Sequence, residues 1–187
     1  MFELARHQSE RSLVTIRRSG IDEHSIQAFV LGVGERLVAL QFVYDFHLDG
    51  LMVLRLEDLT AVECSATDRF QRELLAQEGL MQQVPFAMSF DLRDWRTIIG
   101  QLSQAHALMI LEREGGSDPD FFIGRVERCS QAAVRLAHFT GVARWQDEPA
   151  EIAYADITSC QVGTNYAKTY ERYFARGEPW AVSHLEH

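Results

Sequence analysis

A pattern that occurs twice constrains this chain most: five short runs of strand-forming residues, divided by tight turns and followed by a helix. In the first copy, residues 13–16 are ended by Ser19-Gly20 and residues 26–33 by Gly34-Glu35. In residues 37–44, Val38, Leu40 and Phe42 alternate with Ala39 and Gln41. Residues 51–56 follow Asp49-Gly50, and residues 59–64 follow Glu57-Asp58. β-Branched and aromatic residues at a two-residue period between turn formers predict strands. In the second copy the runs are 108–111, ended by Gly115-Gly116, then 121–126 and 133–136. Residues 152–154 follow a turn-rich stretch ending at Pro149, and Asp156-Ile157-Thr158 opens the last strand. The best local match sets Leu54-Arg55-Leu56-Glu57-Asp58-Leu59-Thr60 beside Ile152-Ala153-Tyr154-Ala155-Asp156-Ile157-Thr158.

Helical spacing follows each copy. Phe70, Leu74 and Leu75 predict a helix over 68–78; Tyr166, Tyr170, Tyr173 and Phe174 predict one over 166–176. Between the copies, Asp91 is the expected N-cap of a helix over 92–104, with Trp95, Ile98, Ile99 and Leu102 as its apolar stripe. The N-terminal stretch with Phe2 and Leu4 is read as a short helix. The expected fold class is mainly β with peripheral helices (α+β), built as two tandem five-stranded small barrels. Residues 1–80 form the first barrel with its helices and 81–105 the connecting segment. Residues 106–184 form the second barrel with its C-terminal helix. Leu185-Glu186-His187 is read as the start of a purification tag.

The segment Phe42-Val43-Tyr44-Asp45-Phe46-His47-Leu48-Asp49-Gly50, with Val53 to Val62 after it, is similar to a pattern of uncharacterised bacterial proteins. The five-strand layout, with an acidic residue just before the last strand, resembles Sm-like and SH3-like small barrels. The likeness covers 12–64 and, less closely, 107–162. Sm-like proteins commonly bind RNA and form rings. This chain departs from them in its net charge of −9 and shows no matching RNA-contact motif. No binding residue is carried over.

That charge demotes general nucleic-acid binding, which phosphate neutralisation drives. Lys168 is the one lysine among 18 basic residues. Arginine is suited to bidentate recognition of carboxylate and phosphate, so Arg17, Arg18, Arg69 and Arg72 form a candidate local patch for a nucleic acid, a nucleotide or another partner. Cys64, Cys129 and Cys160 are odd in number and widely spaced, against a disulfide framework or a zinc site. No apolar stretch of membrane-spanning length and no signal-peptide layout is present, so a cytoplasmic protein without a membrane partner is expected.

Asp45, His47 and Asp49 alternate near a predicted strand end, where side chains of one parity share a side. Two carboxylates around an imidazole make a candidate divalent-metal or acid–base edge. The competing role is a polar hairpin rim turned by Asp49-Gly50. The second copy keeps none of the trio. His7, His24, His106 and His138 lack metal-ligand spacing, no serine sits in a Gly-x-Ser-x-Gly elbow, and Gly32-Val33-Gly34 lacks a phosphate-loop helix. No catalytic residue is assigned and no cofactor is called for. Tyr166, Tyr170, Tyr173, Phe174 and Trp180 form an aromatic group suited to packing on a barrel or a second subunit. The expected function is a non-enzymatic protein-interaction or scaffold module whose partner is a protein or a second copy. Arginine-mediated nucleic-acid or nucleotide binding and a metal-dependent enzyme at the Asp45 edge are the alternatives.

Overall fold

The computed structural model describes residues 3–114 and 119–177; Phe2, Gly115-Gly116, Trp180 and the Leu185-Glu186-His187 segment lie outside the described residues. After helix α1 (Leu4–Glu10) come β1 (Leu13–Arg18), β2 (Asp22–Val33), β3 (Leu37–Tyr44), β4 (His47–Arg55) and β5 (Ala61–Glu63). Helices α2 (Ala66–Gln77) and α3 (Trp95–Ala105) lead to β6 (Met109–Arg113), β7 (Asp120–Cys129), β8 (Ala133–His138), β9 (Ala150–Ala153), β10 (Ser159–Val162) and α4 (Asn165–Ala175). No helix of the described residues is long and apolar enough to cross a membrane.

The strands form one antiparallel sheet in the order β5-β1-β2-β3-β4-β10-β6-β7-β8-β9. This corrects the expectation of two tandem Sm-like/SH3-like barrels. The reason is the ladder that joins β4 to β10, in which Leu51, Met52, Val53 and Leu54 face Val162, Gln161, Cys160 and Ser159. Main-chain groups at the boundary of the halves are satisfied by each other, and one open sheet results. Within each half the strand order is nonetheless the same: fifth, first, second, third, fourth. The free edges, β5 and β9, are short and carry Glu63 and Glu151, with Pro149 just before β9. Short, charged, proline-flanked edges resist pairing with other chains.

Alternation along the strands divides the core between two faces. On β3 and β4, Leu37, Ala39, Leu51 and Val53 join a cluster that crosses the seam through Cys160 and Leu111 to Leu136 and Ile152. Trp95, Ile98, Ile99 and Leu102 of α3 belong to the same cluster. Val38, Leu40, Met52 and Leu54, of the opposite parity, pack with Val14, Ile16 and Val30. In the second half, Ile110, Ile123 and Phe139 pack with Ala167, Tyr170 and Phe174.

Two local expectations need correction. Helix α3 starts later than predicted because Asp94, not Asp91, accepts the hydrogen bond from Thr97 N, at 2.8 Å. Asp91 instead pairs with Arg93. The hairpin between β3 and β4 turns at Asp45-Phe46, both at positive φ (46° and 62°), rather than at Asp49-Gly50. Gly50 lies inside β4 at φ 79° and serves the seam. A Cβ there would stand 2.7 Å from Gly163 C and Thr164 N and would collide with the Val162 carbonyl. Backbone atoms cannot yield as a flexible side chain can, and the left-handed φ adds strain for any residue with a Cβ. Gly50→Ala is therefore expected to lose roughly 3 kcal/mol or more of stability, read as a lower urea midpoint; an unchanged midpoint would show that β4 and β10 do not approach so closely.

Candidate functional site

Where apolar clusters cover the sheet on either side, the seam carries a polar strip. On β10, Ser159 lies opposite Glu112 of β6, and Gln161 Nε2 donates to Glu112 Oε2 at 2.8 Å. Thr158, just before β10, donates from Oγ1 to Glu114 Oε2 at 2.8 Å and accepts from Glu114 N at 3.0 Å. Arg18 enters from the end of β1. Its Nη1 and Nη2 donate to Glu114 Oε2 and Oε1 at 2.6 and 2.8 Å, a bidentate fork across the two halves. The Arg18 side chain is 3% exposed, and its Nε has no partner among the described residues. A bulge between Ile16 and Arg18 directs this end of β1. Adjacent strand residues point to opposite faces, so Arg17 is exposed while Arg18 is buried. The strip opens into a cleft of about 560 Å³ that also meets Asp22, His24, Tyr44 and Asp45.

Burial pushes the Glu112 carboxyl above the ordinary range, and the nearby Glu114 charge adds to this; the Gln161 hydrogen bond and Arg18 oppose it. Asp68 shows the reverse balance. Burial would raise it, but hydrogen bonds from Ser65, Thr15 and Gln27 hold it low. It completes the capping box that starts α2.

The sequence candidates scatter. His47 Nδ1 lies 2.6 Å from the Asp45 carbonyl oxygen, inside the hairpin turn. The Asp49 carboxylate accepts from Asn165 N at 2.6 Å and ties β4 to the start of α4. Asp45 faces the seam cleft, whereas Asp49 faces a separate depression beside Phe121 and Tyr166. Among the described residues no group of three or more His, Cys, Asp or Glu side chains is placed to hold a metal ion. The four arginines are also divided. Arg18 is committed to Glu114, and Arg17 is exposed on the other face of β1. Arg69 and Arg72, one turn apart on α2, do come together in a groove beside α1.

Sequence reasoning missed Glu112, Glu114, Thr158 and Gln161. A signal was present in Glu112-x-Glu114, two acids at the end of an apolar strand run. The partner of Glu114, Arg18, lies 96 residues upstream, and no local pattern announces it.

The aromatic group of the second half forms a chain of ring contacts. Phe121 meets Tyr166 at 5.9 Å, Tyr166 meets Tyr170 at 5.2 Å, and Tyr170 meets Phe139 at 4.8 Å. Phe139 then touches Trp145 and Phe174, and Arg125 lies 5.0 Å from the Trp145 ring centre. The inner rings are core, but Phe121 is 50% exposed, Tyr166 48% and Trp145 38%. Comparison with protein-family models, with curated proteins and with solved structures gives no match.

The raised Glu112 carboxyl has a definite pH signature. A carboxyl whose folded pKa lies above its unfolded value contributes stability that is present below the unfolded pKa and is lost as pH rises through the folded one. Glu112→Gln keeps an acceptor for Gln161 and removes the titration. It is expected to raise the melting temperature at pH 8 while changing it little at pH 4; an equal shift at both would contradict a desolvated carboxyl.

Proposed function

We propose that this protein is a non-enzymatic interaction module that associates with a second copy through the aromatic face of its second half. The observation that carries this reading is the exposure of Phe121 and Tyr166 at the end of a continuous ring chain anchored in the core. Exposed aromatic rings held rigidly by packed neighbours are what protein interfaces use as anchors. The flank of α4 suits a two-fold contact, because Glu171 shares the helix with Lys168 and Arg172, and Arg176 caps its end. In an isologous pairing each copy meets the same patch of the other, and opposite charges on one helix can meet reciprocally. The polar strip has a sufficient structural role in joining the halves through Arg18 and Glu114. A cytoplasmic setting goes with this reading, supported by the free thiols of Cys64, Cys129 and Cys160.

Sedimentation equilibrium over micromolar to submillimolar concentrations tests the proposal. A dimer is expected, with Phe121→Ser and Tyr166→Ser together weakening it at least tenfold and leaving the thermal melt of the monomer near its original value. A wild-type chain that stays monomeric throughout would overturn it, as would a dimer indifferent to the double substitution.

A further inference from the structure

We propose that the groove between α1 and α2 binds a tetrahedral oxyanion, free phosphate or a phosphate monoester, held by Arg69 and Arg72. The groove encloses about 420 Å³, and Arg6, His7, Glu10 and Ser12 complete most of its wall. Each of the two central guanidinium groups is oriented by one backbone carbonyl. Arg69 Nη1 donates to Cys64 O at 2.9 Å, and Arg72 Nε donates to Arg11 O at 2.8 Å. These bonds fix the forks and leave most of their N–H groups for a ligand. Some other arginines are committed to carboxylates, among them Arg18 to Glu114, Arg55 to Asp58, Arg93 to Asp91 and Arg135 to Glu127. Neither Arg69 nor Arg72 has a carboxylate within ion-pair distance among the described residues. In a chain of net charge −9, two pre-oriented forks one helical turn apart form a concentrated positive site. Planar guanidinium forks match phosphate geometry in a way an ammonium does not.

The second observation is His7. It lines the groove, it is only 5% exposed, and its Nδ1 is buried without a hydrogen-bond partner among the described residues. The ring therefore forms part of the floor of the groove, with Nδ1 itself closed off from it, and a ligand seated there is expected to perturb the His7 imidazole signals. Arg6 stands at the rim in an ion pair with Glu3. Glu10, also at the rim, accepts from Ser12 Oγ at 3.3 Å and opposes an anion. The site is independent of self-association, since neither α1 nor α2 contributes to the aromatic face.

The test is a titration of the intact chain at low salt with sodium phosphate and, separately, with O-phosphoserine. Acetate at matched ionic strength is the control, and binding is followed by amide and imidazole NMR shifts. One saturable site is expected, with shifts at His7, Arg69 and Arg72. Arg69→Gln with Arg72→Gln should weaken binding at least tenfold. Glu10→Gln should tighten it about twofold or more, by removal of a like charge, a gain that misfolding cannot mimic. Binding of both probes would support a site for an esterified phosphate, and binding of phosphate alone a site for the free ion. No saturable binding, equal binding of acetate, or indifference to the arginine substitutions would overturn the proposal.

Discussion

The two halves of the sheet meet at four residue pairs, Leu51–Val162, Met52–Gln161, Val53–Cys160 and Leu54–Ser159, where β4 lies antiparallel to β10. Because β10 is paired with β6 on its other side, this short ladder transmits the first half into the second. One parity of these residues, Leu51, Val53, Cys160 and Val162, continues the large apolar cluster across the boundary. The other ends in Ser159 and Gln161, which look onto Glu112. The seam is thus apolar on one face and polar on the other, and Arg18 closes the polar face with its fork to Glu114. Removing one member of such a buried pair strands a charge and costs about 3–5 kcal/mol, whereas the intact pair adds little net stability. We therefore assign the pair to fixing how the halves sit together, with the apolar face supplying the stability.

Most strand runs were legible in the sequence, because β-branched and aromatic composition between turn formers follows from burial on a pleated surface, although the last strand starts at Ser159 rather than at Asp156, and β3 is buried on both faces. Leu37–Tyr44 was predicted as observed, and the trailing helices differ from prediction by a residue or two at each end. The joining of the halves was not legible. A run such as Leu51 to Leu54 has the same local pattern whether its outer edge closes a barrel or pairs with a strand more than 100 residues away. Asp49-Gly50 misled for a related reason. The dipeptide that marks a hairpin turn is also what a strand needs where another backbone crosses close to it, and only the position of Val162 and Gly163 tells the two apart.

The two halves share a strand order but not their surfaces. The first half carries the arginine groove between its helices, and the second carries the exposed aromatic chain, with Phe121 and Tyr166 at its open end. The polar strip draws one residue from β1 and the others from around β6 and β10. Strand order is constrained by main-chain pairing and by the core, which tolerate little change, whereas exposed side chains answer to no such constraint. This separation explains why the candidate residues read from sequence divided between structural partners, such as the buried Arg18 and the half-buried Asp49, and exposed groups, such as Arg69.

The central claim is that the β4–β10 ladder makes one cooperative unit of ten strands. Native-state hydrogen exchange under increasing urea tests it most directly. If the claim holds, the slowest amides of the 51–54 and 159–162 ladder exchange only through global unfolding, with the same free energy and urea dependence as those at the centres of β2 and β7. Exchange of the ladder amides at a markedly lower free energy, with the two halves then opening at different urea concentrations, would contradict it.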